Sequence, residues 1–157
     1  MAYTDLPFGA GFTPMTGYPR MGMWPVVDVV PFTHTLSSGA GTTHTATAAE
    51  VLGGLWIINC DDASTVTLPT AALLNAAIPG VKANTVISFL VINTGDASIT
   101  LAVGTGGTLV VGNSKSTVAT VATVTSKRWL IRVTAVMAID GSDAYQLLSE
   151  STSTSVA

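Results

Sequence analysis

Two histidines stand in matching surroundings, because His34 and His44 each lie at the centre of a Thr-His-Thr triplet. A hairpin turn centred on Gly39 would place the two triplets opposite each other on neighbouring strands. A cross-strand pair of imidazoles can bind a metal ion, but a catalytic zinc site needs three protein ligands and the nearby sequence offers no third. We therefore interpret the pair as polar strand pairing without a metal. Protonation of both rings near pH 6 is expected to loosen this ribbon.

The other reactive side chains form no recognised catalytic pattern. Cys60, the single cysteine, ends the apolar segment 55–59, so we expect a buried and unreactive thiol that forms no internal disulfide. Five aspartates fall in predicted loops: Asp61, Asp62, Asp96, Asp140 and Asp143. Their spacing is not that of a calcium-binding loop, so we expect solvated turn residues. The two glutamates, Glu50 and Glu150, fit roles as a helix cap and as part of a polar tail. We therefore expect no enzymatic activity and no cofactor.

Charged residues are scarce in this chain. They make up 10% of its 157 residues, against about 25% in a typical soluble protein, whereas 48% are hydrophobic. A domain of this size leaves about 30% of its extended-chain surface exposed, so contact with other chains is expected to cover apolar surface. Six lysines and arginines with a net charge of -3 argue against nucleic-acid binding. Neither a membrane-spanning run nor a signal peptide is expected.

Residues 1–32 differ from the rest and are predicted to form an extended N-terminal arm. They hold five of the seven prolines and six of the ten aromatic residues. Proline at this spacing prevents a helix or a central strand. Burial of the aromatic rings roughly offsets the entropy lost on ordering the arm, so we expect it to order on a partner chain. The predicted anchor residues of the arm are Phe8, Phe12, Tyr18, Trp24 and Phe32.

Residues 33–150 are predicted to form a mainly β domain, an antiparallel β-sandwich or barrel, followed by a flexible polar tail at 151–157. Short Thr- and Val-rich segments alternate with Gly, Asn and Asp, which is typical of many short strands. Alternation over 98–103 and 128–133 predicts half-buried antiparallel strands. The segment 86–92 is apolar on both faces and predicts a central or covered strand. Turn residues predict three hairpins, at 93–96, 104–107 and 140–143.

One or two short helices interrupt the strand pattern. A capping box at Thr47–Glu50 followed by two glycines predicts a single helical turn. A second helix is predicted over 69–77, with Pro69 at its first position. Four apolar residues of this segment are expected to share its buried side: Leu73, Leu74, Ala77 and Ile78.

Five segments of the β domain resemble, in this order, small structural proteins of tailed bacteriophages. They are Ala-Thr-Ala-Ala-Glu-Val-Leu-Gly-Gly (46–54), Thr-Leu-Pro-Thr-Ala-Ala-Leu (67–73), Ile-Pro-Gly (78–80), Phe-Leu-Val-Ile-Asn-Thr-Gly (89–95) and Thr-Leu-Ala-Val-Gly-Thr-Gly-Gly (100–107). The resemblance covers residues 43–148 and leaves out the arm. It implies a β-rich virion component without catalytic residues. Proteins of this kind and length include decoration or cement proteins, which sit on capsid shells, often as trimers.

The expected function is therefore that of a capsid decoration protein. Its expected partners are further copies of itself, with a trimer as the expected form, and the major capsid protein, which the arm would clamp. The expected location is the capsid exterior, after assembly in the host cytoplasm. Two alternatives stay open. One is a tail, neck or fibre-base protein, and the other is a glycan-binding virion head that uses exposed aromatic residues and the carboxylates of Asp61, Asp62 and Asp143.

Overall fold

The computed structural model describes residues 31–110, 119–137, 142–149 and 154–155. The strands of this part are β1 (Phe32–Leu36), β2 (Thr43–Thr45), β3 (Leu55–Cys60), β4 (Ser64–Thr67), β5 (Val86–Asn93), β6 (Ile99–Ala102), β7 (Gly107–Val110), β8 (Ala119–Val121), β9 (Thr125–Ala135), β10 (Ala144–Ser149) and β11 (Thr154–Ser155). The helices are α1 (Ala48–Leu52) and α2 (Ala71–Ala77). The predicted mainly β fold with short helices is confirmed.

The strands form two hydrogen-bonded sheets. The larger sheet has the order β1-β3-β5-β9-β10-β7, with β11 also paired to β9, and the smaller sheet has the order β2-β4-β6-β8. From β1 to β6 the chain alternates between the sheets, and each strand runs parallel to the one two places earlier. The chain therefore winds through both sheets in successive turns. As predicted, β5 lies centrally, between β3 and β9.

Antiparallel pairing holds for only part of the fold, which corrects the sequence prediction. Strand β9 is antiparallel to β5 and β10, and β8 is antiparallel to β6, whereas the strands of the first winding turns and the β7–β10 pair are parallel. A hairpin reverses the chain within one sheet. A connection that visits the other sheet brings the chain back in its original direction, which gives parallel neighbours.

Two of the three predicted hairpins are wrong for the same reason. Residues 93–96 lead from β5 in the larger sheet to β6 in the smaller one, and residues 104–107 lead back from β6 to β7. The hydroxyl of Tyr145 holds the second crossing, because it donates to Pro69 O (3.1 Å) and accepts from Gly104 N (3.0 Å). The third connection joins the antiparallel neighbours β9 and β10, and its residues 138–141 lie outside the described part.

One hydrophobic core takes residues from both sheets. Its largest members come from the larger sheet: Trp56, Phe89, Trp129 and Tyr145. The rings of Trp56 and Phe89 lie 4.9 Å apart. The smaller sheet adds apolar side chains on its inner face: Val66, Ile99, Leu101 and Val121. The predicted alternation over 128–133 is confirmed, since every second residue from Trp129 is fully buried.

Helix α1 begins as predicted and α2 does not. Both halves of the capping box at Thr47 are formed. In α2 the N-cap is Thr70, whose hydroxyl accepts from Leu73 N, so Pro69 precedes the helix instead of opening it.

The buried side of α2 also differs from the prediction. Leu74 is buried, but Leu73 is 62% exposed, and Ala77 is exposed as well. The helix instead buries Ala71, Leu74 and Asn75. Asn75 lies inward because its Nδ2 donates to Ala135 O (3.1 Å) and to Asp143 Oδ1 (2.7 Å).

Part of the predicted tail pairs with the β domain. Within residues 151–157, the structure describes 154 and 155, which form β11 opposite residues 125 and 126 of β9.

Candidate functional site

An aromatic and imidazole cluster lies where the arm joins the β domain, and we treat it as the candidate functional site. Phe32 and His34 point the same way from β1, and His44 meets them from β2. The Phe32 ring lies 5.5 Å from the His34 ring and 5.1 Å from the His44 ring. It also meets Trp56 edge-on at 6.0 Å. The cluster thus joins the start of the β domain to its core.

The two predicted histidines do meet, but not across a hairpin. Their ring centroids are 4.6 Å apart, although β1 belongs to the larger sheet and β2 to the smaller. A single antiparallel bridge between Ser37 and Gly41 closes the turn between these strands. The predicted ladder of paired triplets is therefore wrong. The imidazoles are neighbours because the chain passes from one sheet to the other at this point.

Glu50 is the polar centre of the cluster. Its Oε2 lies 3.2 Å from His44 Nε2 and accepts a hydrogen bond from Thr47 N at 2.7 Å. Its backbone carbonyl accepts a bond of 2.8 Å from Trp56 Nε1. Sequence reasoning gave Glu50 only its helix-capping role and missed its contact with His44, which depends on the arrangement of the two sheets.

The geometry of this cluster is that of stacking and not of ligation. Among the described residues, no group of three or more His, Cys, Asp or Glu side chains is placed to hold a metal ion. The Glu50 carboxylate, the acid nearest to the histidines, already serves the start of α1. What the arrangement can do chemically is change charge, since two imidazoles and one carboxylate share a partly buried corner.

Burial lowers the pKa of His34, and the neighbouring His44 lowers it further, while Glu50 acts in the opposite direction. The neutral imidazole is therefore favoured at the stacked position beside Phe32. Protonation of His34 places a cation in a partly buried site that already holds another imidazole.

We expect the stability of the β domain to fall as the pH drops below about 6.5. Because His34 has a lower pKa in the folded protein than in the unfolded chain, the unfolded chain binds more protons over this range and is favoured. A His34→Gln variant, neutral throughout, should show a flatter pH dependence of its urea midpoint. The measurement is urea unfolding from about pH 7.5 to 5, above the range of ordinary carboxylates.

Thr33→Gln is the matched control, because Thr33 is exposed on the same strand. His44→Gln should flatten the profile less than His34→Gln, because it removes the charged neighbour of His34 but leaves the burial of its ring. A His34→Gln profile that superimposes on the unaltered one would contradict the proposed role of His34.

The predicted arm anchors are divided by the limits of the structure. Phe8, Phe12, Tyr18 and Trp24 lie outside the described residues. Phe32 is described, and its partly buried ring packs against the core as part of the cluster. The structure thus gives Phe32 a place at the root of the arm.

Cys60 is fully buried, as predicted. Burial raises the pKa of its thiol, which donates to Ala97 O at 2.8 Å. The thiol is therefore held protonated in a packed site, which does not favour nucleophilic chemistry.

The loop aspartates are dispersed. Asp61, Asp62 and Asp96 are exposed, and Asp62 accepts from Ser38 N at 2.7 Å. Asp143 accepts from Asn75 and from Met137 N at 3.0 Å. Asp140 lies outside the described part. The structure does not bring these carboxylates together into one site.

Wider comparison adds no relative to this picture. In the described ranges, no helix has both the length and the apolar character needed to cross a membrane. Comparisons of the chain with protein-family profiles, with curated proteins and with solved structures find no match in any of the three.

Proposed function

We propose that this chain is a non-enzymatic structural protein of a bacteriophage virion, a decoration or cement protein on the capsid exterior. In this proposal it self-associates, with a trimer as the expected form, and its arm (residues 1–32) clamps subunits of the major capsid protein. It is assembled in the host cytoplasm. Three features support the proposal: the charge-poor composition, the aromatic arm, and the sequence resemblance to virion proteins.

One structural observation carries the clamp in particular: the arm continues directly into an edge strand of a large sheet. Strand β1 pairs with β3 along five register positions. Phe32 at its start packs against Trp56, which is fully buried. Tension on the arm would therefore act on a hydrogen-bonded ladder and a packed ring, not on a flexible joint. A clamp needs such a root.

Cementing follows from mass action. A protein that binds only the assembled shell stabilises it by its binding free energy at each site. When one oligomer holds several arms, each modest contact raises the effective concentration of the next. The aromatic anchors suit this role, because a few large buried side chains supply most of the energy of an interface.

Removal of residues 2–30 is expected to abolish binding to capsid shells and leave the β domain folded. The cut ends before β1, so Phe32 and the β1–β3 ladder are retained. Binding is measured by co-sedimentation with purified shells, and folding by circular dichroism and thermal unfolding. A truncated chain that binds as tightly as the full chain would contradict the clamp and move the docking role to the sheets.

A point variant sharpens this test. Phe12→Ala in the full chain is expected to weaken shell binding by about 30-fold, the effect of losing one anchor of about 2 kcal/mol. Thr13→Ala, at the adjacent position, should leave binding unchanged. Copy number separates shell from tail: hundreds of copies per particle support a decoration protein, and a dozen or fewer would contradict it.

A further inference from the structure

The larger sheet has an outer face that is unusually apolar. Along each strand, side chains alternate between the core and this outer face. The apolar residues on the outer face are Leu55, Ile57, Val86, Leu90, Ile92, Val110, Leu130 and Leu148. A sheet face in contact with water normally carries polar side chains at such positions.

The strand register makes these side chains contiguous. The outer-face register pairs are Leu55–Leu90, Ile57–Ile92, Leu130–Leu148 and Leu148–Val110. They form one apolar patch that crosses β3, β5, β9, β10 and β7. Cross-strand pairs of this kind also hold the sheet together, but their outward surfaces are left over.

The patch is separate from the hydrophobic core. None of the eight side chains belongs to the core cluster or to the partly buried residues packed against it. Val86 is 57% exposed and Val110 is 36% exposed. A contiguous apolar surface outside the core marks an interaction site.

We infer that the outer face of the larger sheet is the surface through which copies of this chain associate, each packing it against the same face of another copy. This inference rests on the proposed function, because it names the surface for the proposed self-association. Two sheets pack face to face about 10 Å apart with interdigitated side chains, and a patch of β-branched and leucine side chains suits that packing. An identical patch on a second copy is always present in equal number.

The size of the face fits this partner. Six strands about 4.8 Å apart span about 24 Å, and the outer positions of β5 cover more than 20 Å along the strand at about 3.4 Å per residue. The flat area is thus about 500 Å², and side-chain relief brings the accessible area towards the roughly 800 Å² per partner of a stable interface.

The charges on this face are basic and lie along β9. Arg128 and Arg132 occupy outer positions, and the guanidinium of Arg132 is bound to Asn84 Oδ1 (3.0 and 2.7 Å). No outer position of the described strands carries a carboxylate. Like charges on two copies repel, so added salt should strengthen self-association. An acidic partner would show the opposite dependence.

The test compares full-length chains by sedimentation equilibrium over a range of concentrations and salt. The unaltered chain is expected to sediment at two or three times its 16.0 kDa mass. A Leu90→Thr and Ile92→Thr double variant, which keeps β-branched residues in β5, should need at least tenfold more protein to associate. Ser88→Thr, on the same strand and face, should behave like the unaltered chain.

A second measurement needs no variant. Carbene footprinting of the unaltered chain should label Leu90 and Ile92 more strongly on dilution, while Met137, 67% exposed and outside this face, should be labelled equally throughout. A monomeric unaltered chain, unchanged association of the double variant, or labelling independent of concentration would overturn the inference.

Truncation separates this inference from the proposed function. A chain without residues 2–30 should keep its oligomeric mass while losing shell binding. Loss of self-association on truncation would show that the arm, not a second sheet, covers this face. Shell binding by a chain whose double variant associates normally would contradict this inference and leave the clamp intact.

Discussion

Replacing Gly95 by alanine is expected to lower the free energy of unfolding by about 3 kcal/mol or more. A Cβ at this position would lie 2.2 Å from both N and O of Cys60 and 2.6 Å from its carbonyl carbon. Overpacking in a core costs about 1–3 kcal/mol when side chains can move aside. Here the neighbour is backbone at the end of β3, so the β5–β6 crossing itself must shift.

Gly39→Ala is the matched control, because a Cβ there meets nothing within 4 Å. Urea unfolding of both variants gives the comparison, with the change at Gly39 expected within about 0.5 kcal/mol of zero. A Gly95→Ala variant as stable as the control would show that the crossing does not pack on β3 as described.

The close packing at Gly95 explains why the turn prediction failed. Asn-Thr-Gly-Asp suits a tight hairpin, and the same residues here make a tight crossing. Thr94 N donates to Ile58 O (2.9 Å) and Ala97 N donates to Cys60 O (3.0 Å), so the crossing bonds to β3, more than thirty residues earlier. Local turn chemistry is identical in the two cases, and only the distant partner decides between them.

The parts of the fold that sequence predicted are those set by local chemistry. The capping box at Thr47 closes within four residues, and the alternation beginning at Trp129 follows from the pleat of one strand. The inward position of Asn75 in α2 could not be predicted, because its partners lie 60 and 68 residues away.

The candidate site divides in the same way. The matched Thr-His-Thr triplets predicted that His34 and His44 would meet, and their rings do so. The reason was wrong, since a crossing between sheets replaces the hairpin ladder. Phe32 was predicted as an arm anchor from composition, whereas its contact with Trp56 depends on the β1–β3 register.

Asn93→Asp is expected to destabilise the β domain by about 4 kcal/mol at neutral pH. Asn93 is fully buried, and its Nδ2 donates to Ala97 O (2.7 Å) and Ala122 O (3.0 Å), while its Oδ1 accepts from Gly95 N (3.0 Å). Aspartate keeps the acceptor but turns a charged oxygen towards two carbonyl oxygens. Each unsatisfied buried carbonyl costs about 1–3 kcal/mol, and an unpaired buried charge adds to this.

The pH dependence of that loss identifies its cause. Burial without a cationic partner should raise the pKa of the introduced carboxyl in the folded state above its value of about 3.9 in the unfolded chain. The folded variant then binds more protons than the unfolded one, so its stability falls as pH rises and recovers in acid. Urea midpoints at about pH 5 and pH 8, each referred to the unaltered chain, should show a larger deficit at the higher pH. Asn59→Asp, on the outer face of β3, should cost less than about 1 kcal/mol at either pH, because a partly exposed carboxylate keeps its water. A deficit for Asn93→Asp that matches this control would mean that the three connections meeting at Asn93 do not depend on its amide.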